Sequence, residues 1–202
     1  NINLVTPTHV ILPILRALRL AFGRGLGLPI VWNSNGYEKA GVIAALEGIV
    51  DIYLPDLKYR SAEISARYSS APDYFENASG ALREMSLSRP VLELDDKEAA
   101  DKGLIIRHMV LPGHTEDSLE VLRWIKENIS PCIGLSVMSQ YEPCFKAPQE
   151  LGRPVTRAEY KQVTEAARAM GVSFLFLQPE PFAQGEHLFP DFDREEPFRW
   201  KK

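Results

Sequence analysis

Cysteine is scarce in these 202 residues: there are two, Cys132 and Cys144. Two thiols make no disulfide framework, and their spacing matches no metal-ligand pattern. Both are expected to be small packing residues in a reduced, cytoplasmic setting. No apolar run approaches the length of a membrane span, and the start lacks the basic-then-apolar layout of a signal peptide. The net charge is -4 and basic residues do not cluster beyond pairs, which gives no support to a nucleic-acid surface. No glycine-rich dinucleotide fingerprint follows any apolar segment, which argues against a Rossmann site. An initiator methionine is missing as well. The chain opens on Asn-Ile-Asn-Leu-Val, already strand-like, so coding sequence is expected upstream of Asn1.

What is present is an alternation. With 45% hydrophobic residues the chain can bury one sizeable core. Ile2, Leu4 and Val5 suggest a buried strand, and the 3.6-residue spacing of Ile11, Ile14, Leu15, Leu18 and Phe22 predicts a helix after it. Further strands are expected at 29–32, 50–54, 104–111, 133–138 and 173–177. Helices are expected at 37–47, in two segments across 60–88, from the Thr115-Glu116-Asp117 cap, and from Thr156 to the stop at Gly171. The acidic stretch 93–101 reads as a solvated turn. Strand and helix alternate about six times, which argues a parallel sheet with crossover helices. The expected fold is α/β, an open doubly wound sheet or a barrel, with a partial or complete barrel preferred. Residues 1–178 would form the barrel domain, and the proline-rich, mixed-charge 179–202 a C-terminal extension.

The segment 51–59, Asp-Ile-Tyr-Leu-Pro-Asp-Leu-Lys-Tyr, is a short strand halted at Pro55, with Asp56 and Lys58 just past its C-terminal end. In α/β sheets and barrels ligands bind at that end. A local ion pair is the plainer reading of Asp56 and Lys58 alone. Other strands, however, also end in polar groups: Thr6 to His9 after the first, Asn33-Ser34-Asn35-Gly36 after the second, His108 to His114, and Gln140 with Tyr141. A barrel would gather these at one mouth, suited to a small polar ligand carrying both charge signs, such as an amino acid. Arg107 and His108 project to opposite faces of their strand, so at most one of them points inward.

Asn33-Ser34-Asn35-Gly36, the 51–58 segment and Arg107-His108-Met109-Val110-Leu111-Pro112-Gly113 together resemble the core of the pyruvate formate-lyase activating enzymes, in the radical S-adenosylmethionine superfamily. The resemblance covers roughly residues 1–171 and is strongest to a little-characterised subgroup of activating-enzyme homologues. It implies the family's fold, a partial (β/α)6 TIM-like barrel that here lacks its first strand unit, with a [4Fe–4S] cluster and S-adenosylmethionine at its mouth, reductive cleavage to a 5′-deoxyadenosyl radical, and hydrogen abstraction by the parent enzyme. A glycyl-radical-type protein and an electron donor are the implied partners. It also implies that Asp56 and Lys58 contact S-adenosylmethionine, the lysine at its carboxylate and the aspartate at a ribose hydroxyl or a cation. Asn33 stands where those enzymes have an aspartate, with Ser34 beside it. Gln140 and Tyr141 stand at a Tyr-His pair near the nucleoside, and His108 on the strand flanking the adenosyl group.

Two departures matter. The superfamily's Gly-Gly-Glu motif is replaced by Thr6-Pro7-Thr8-His9, which puts Thr8 and His9 at the amino-acid end of the ligand. The Cys-x3-Cys-x2-Cys cluster motif is missing, and neither Cys132 nor Cys144 can replace it. Three thiolates are what hold such a cluster, so the chain alone is expected to be inactive, with no catalytic or metal-ligating residue of its own. The cluster ligands are expected upstream. Two other readings compete. One is a non-catalytic α/β module that binds a nucleoside or amino acid at the same mouth. The other is a metal-dependent hydrolase or isomerase using His9, Asp56 and His108, against which Lys58 beside the carboxylate argues.

Overall fold

The apolar segments fold as their alternation predicts. In the computed structural model, which describes residues 1–144 and 146–178, the order is β1 (Ile2–Val5), α1 (Ile11–Phe22), β2 (Ile30–Ser34), α2 (Ala40–Ala44), β3 (Ile52–Pro55), α3 (Ala62–Ser69) and α4 (Tyr74–Ser88). Then follow β4 (Glu93–Leu94), β5 (Ala100–Met109), α5 (Thr115–Asn128), β6 (Gly134–Met138), α6 (Arg157–Arg168) and β7 (Phe174–Leu177). The expected extension, 179–202, lies outside the described residues.

The sheet runs β1-β2-β3-β5-β6-β7, each neighbouring pair parallel, with β4 antiparallel beside β5. Its order never reverses. A doubly wound sheet would have a switch point, whereas steady progression is how a TIM-like barrel winds.

Each strand has two faces, and they do different work. Trp32, Tyr53, Leu104, Ile106, Leu135 and Val137 face the helices, where they pack with residues such as Leu46, Leu82, Met85, Leu122, Ile125 and Val163 in one buried core. The alternate residues form the inner face of the partial barrel. Register places Asn33 beside Leu54, Asp56 beside Arg107, and Arg107 beside Ser136. At the N-terminal end Leu92 fills the interior. A Cβ on Gly103 would lie 2.6 Å from the Leu92 Cα, and one on Gly134 3.0 Å from its Cδ2. These two glycines make room for a chain crossing the bottom, so the inner face opens toward the C-terminal ends of the strands.

Several expectations need correcting. β1 is only half-buried, with Val5 65% exposed, because it is an edge strand paired on one side only among the described residues. Asn33 and Ser34 end β2 rather than forming its turn. The helix expected over 37–47 shrinks to α2. The acidic 93–101 stretch is a hairpin, not a plain turn. Asp95 Oδ1 accepts from the N–H groups of Lys97 and Ala99 and bends the chain between β4 and β5. Most residues of this ribbon are exposed, so no apolar alternation marks it. His114, not Thr115, occupies the N-cap position of α5, without a side-chain capping bond, and Cys144 is exposed rather than packed. By contrast Thr156 caps α6 as read from the sequence, and the structure adds a full capping box with Glu159.

Candidate functional site

The site begins with a close approach of two loops. After β2 the backbone turns at Gly36, whose φ is +77°, and any Cβ there would lie 2.1 Å from the Asp56 carbonyl oxygen. Only glycine permits that approach. The buried Tyr74 hydroxyl fastens the same place. It meets the carbonyls of Asn35 at 2.8 Å and Asp56 at 3.1 Å, and it accepts from the Lys58 N–H at 3.0 Å. Burial pushes its pKa up, so it stays a protonated donor. The C-terminal ends of β2 and β3, which carry Asn33 and Asp56, are thereby held together by the last residue of the Asn33–Gly36 motif and by a tyrosine outside it.

Within that frame four side chains meet on the inner face. Asp56 Oδ2 lies 2.7 Å from Lys58 Nζ, and Oδ1 lies 2.8 Å from Arg107 Nη2. The same Nη2 donates to Asn33 Oδ1 at 2.8 Å. One carboxylate thus stands between two cations, and a neutral amide holds the second cation from the other side. The Asp56 side chain is 14% exposed, while those of Lys58 and Arg107 are 30% and 27% exposed, so the cations face the opening more than the carboxylate does.

The other expected residues divide into separate groups. His108 lies on the helix side of β5, buried, with Nδ1 2.7 Å from the Leu57 carbonyl. That bond places the proton on Nδ1. Nε2 has no hydrogen-bond partner, and burial lowers the ring's pKa, keeping it neutral. Of the pair Arg107 and His108, then, the arginine faces inward. Thr8 and Ser34 both donate to Glu38, at 2.5 and 2.7 Å, and the Trp32 indole N–H donates to it at 2.9 Å. His9 is exposed on a single turn of 3-10 helix, Thr8–Val10. Gln140 Oε1 accepts from Gln178 Nε2 at 3.0 Å, and the Tyr141 hydroxyl donates to the Leu151 carbonyl. Asn33, Asp56 and Lys58 come together, five of the remaining six stand in these other contacts, and His9 lies exposed on its turn.

Two residues escaped the sequence reading. In the sequence Arg107 stands out only as one of a pair after three apolar residues, and its place beside Asp56 comes from the register of the sheet. Glu38 is 3% exposed yet sits in a stretch that reads as a surface helix, and only the fold surrounds it with three donors.

No group of three or more His, Cys, Asp or Glu side chains able to hold a metal occurs among the described residues. The trio His9, Asp56 and His108 is dispersed: exposed turn, inner face and helix side.

No family model matches the chain. It is 30% identical over 181 residues to an uncharacterized protein of Methanocaldococcus jannaschii, a match covering 87% of this chain and 48% of that protein. The chain therefore spans about half the length of that curated relative. Among solved structures it is similar to a domain of pyruvate-formate lyase-activating enzyme from Bacteroides vulgatus, with a TM-score of 0.59 and 11% identity, over 86% of this chain and 94% of the other. The fold is a partial TIM-like barrel of that kind. At such low identity the likeness speaks for the fold alone, and the chemistry rests on the residues at the mouth.

Proposed function

We propose that this chain is the S-adenosylmethionine-binding part of a radical enzyme related to the pyruvate formate-lyase activating enzymes. The observation that carries the reading is the Asn33–Arg107–Asp56–Lys58 cluster on the inner face of the barrel, open toward the strands' C-terminal ends. A zwitterionic amino-acid group and a ribose need fixed charges of both signs and hydrogen-bonding groups, and these four residues supply both. Lys58 would hold the ligand carboxylate, Asp56 a ribose hydroxyl, and the inward edge of Asn33 a second polar contact. When bound and reduced in the parent enzyme, S-adenosylmethionine supplies a 5′-deoxyadenosyl radical for hydrogen abstraction. This chain's own part is to bind, orient and shelter it.

A [4Fe–4S] cluster does not fit the residues of this chain. It needs three thiolates, whereas Cys132 precedes β6 at the closed end of the barrel and Cys144 follows β6 at the open end. In this proposal the cluster thiolates, the electron donor and any glycyl-radical partner lie outside these 202 residues, and the chain alone is inactive. No helix among the described residues is long and apolar enough to cross a membrane, and a reducing, cytoplasmic setting belongs to the same proposal.

The test is titration of S-adenosylmethionine into the chain and into Lys58→Ala, with thermal melts of both. We expect binding by the wild type and at least tenfold weaker binding by the variant, at an unchanged melting temperature. Equal affinity would remove Lys58 from the site, and no binding by either protein would reject the proposal.

A further inference from the structure

The sheet ends at β7, which pairs with β6 alone among the described residues. Beside it α6, which packs against α5 and β7, borders a cavity of about 270 Å³. The polar groups of its floor are already satisfied. The Tyr160 hydroxyl lies 2.9 Å from the Val137 carbonyl and 3.0 Å from that of Gln178, and Thr164 donates to the Lys161 carbonyl. The rim is cationic. Arg157, Lys161 and Arg168 line the cavity at i, i+4 and i+11, one stripe of the helix, and the carboxylate nearest Lys161 is the exposed Glu165 at 3.7 Å. The Tyr160 ring and Leu177 give it an apolar wall. A positive rim over a satisfied, partly aromatic floor suits a segment that carries a carboxylate close to an aromatic ring.

Such a segment begins at the cavity itself. Gln178 lines it and is the last described residue, and the chain continues as Pro179-Glu180-Pro181-Phe182. A residue before proline favours extended backbone, so this stretch has little freedom to lose on docking. A chain spans at most about 3.6 Å per residue, which keeps the Glu180 Cα within about 7 Å of the Gln178 Cα and that of Phe182 within about 14 Å. Covalent connection thus holds one carboxylate and one aromatic ring at high effective concentration beside the cavity. Over 179–196 the sequence carries six carboxylates against a single arginine, so the charges of rim and segment are complementary. We infer that the α6–β7 cavity is the seat of the chain's own segment 179–182, with the Glu180 carboxylate at the cationic rim and the Phe182 ring on the wall made by Tyr160 and Leu177. The contact covers an end of the sheet that no further strand protects among the described residues. It is independent of the adenosyl reading at the mouth.

The experiment uses the full chain and chymotrypsin, which cuts after phenylalanine. Cleavage of the bond between Phe182 and Ala183 is timed by mass spectrometry in the wild type, in Glu180→Gln and in the double variant Lys161→Gln/Arg168→Gln. Each rate is divided by that of a free peptide of the same 178–186 sequence, which removes any preference of the protease, and a melt of each protein checks its fold. We expect both variants to be cut at least fivefold faster than the wild type at low salt. Salt at about 0.5 M should speed the wild type and narrow that gap, because rim charges are screened. Equal normalised rates in the three proteins would overturn the inference, and so would a wild type cut as fast as its free peptide. Dilution separates the remaining occupant. Protection that persists on dilution supports a seat within one chain, whereas protection lost together with a dimer seen by light scattering would place the segment on a second copy and reject this inference.

Discussion

At the scale of single residues, this mouth is held by groups that do no chemistry. Gly36 is the clearest. Its positive φ and the 2.1 Å that would separate a Cβ from the Asp56 carbonyl oxygen leave no room for a side chain. Gly36→Ala is expected to cost more than about 3 kcal/mol, the sum of backbone strain and a forced separation of the two loops. Urea denaturation would measure it, and a loss below about 1 kcal/mol would show that the loops part easily. Glu38 belongs to the same class. It takes donors from Thr8, Trp32 and Ser34, so it ties the turn after β1 to the end of β2 from the helix side. In the sequence Gly36 shows only as the end of the Asn33–Gly36 motif, and a glutamate before a lysine, as at Glu38, carries no signal. Their importance comes from what the fold brings beside them.

Among the elements, the connection from β5 to α6 shows how a carboxylate can join segments far apart in the chain. Glu159 closes the capping box of α6, pairs with both terminal nitrogens of Arg153, and accepts from the Gly113 N–H at 2.7 Å. The Arg153 guanidinium, followed by the N–H groups of Thr156 and Gly113, holds its carboxyl well below the usual carboxylate range, against a smaller opposing effect of burial. A depressed carboxyl pKa stabilises the folded state above the unfolded value of 4.5. That stability is lost as pH falls through the lower folded value. Glu159→Gln is therefore expected to cost about 1–2 kcal/mol at pH 7, the scale of charge-assisted hydrogen bonds. The gap between variant and wild type should narrow as the pH drops below about 4.5. Chemical denaturation across pH 3–7 checks this, and a gap constant over that range would mean that the carboxyl pKa is not depressed.

In the whole molecule, the partial barrel has a closed end and an open one, and a well-packed middle beside a thinly covered edge. The core runs behind β3, β5 and β6. At the β1 edge Val5, Leu12 and Leu20 are all more than half exposed. Local opening follows buried contact, so the amides of β1 are expected to exchange with deuterium at least tenfold faster than those of β5 and β6. Hydrogen-exchange mass spectrometry would measure this, and equal protection would show that the sheet opens as one unit.

The sequence alone carried the alternation of strands and helices, the division of 60–88 into two helical segments, the Thr156 cap of α6, and the likeness in fold to the activating enzymes. All of these are local signals, carried by periodicity and by neighbours a few residues apart. The sequence also brought Asp56 and Lys58 into view, because two residues of spacing suffice to pair them. Tertiary structure alone decided that Arg107 rather than His108 faces inward, that Glu38 is buried among three donors, and that Leu92 closes the barrel against Gly103 and Gly134. Each of those outcomes depends on which face of a strand meets the helices and on contacts between residues far apart in the chain. Such contacts leave no periodic trace, and so they form only when the sheet curls.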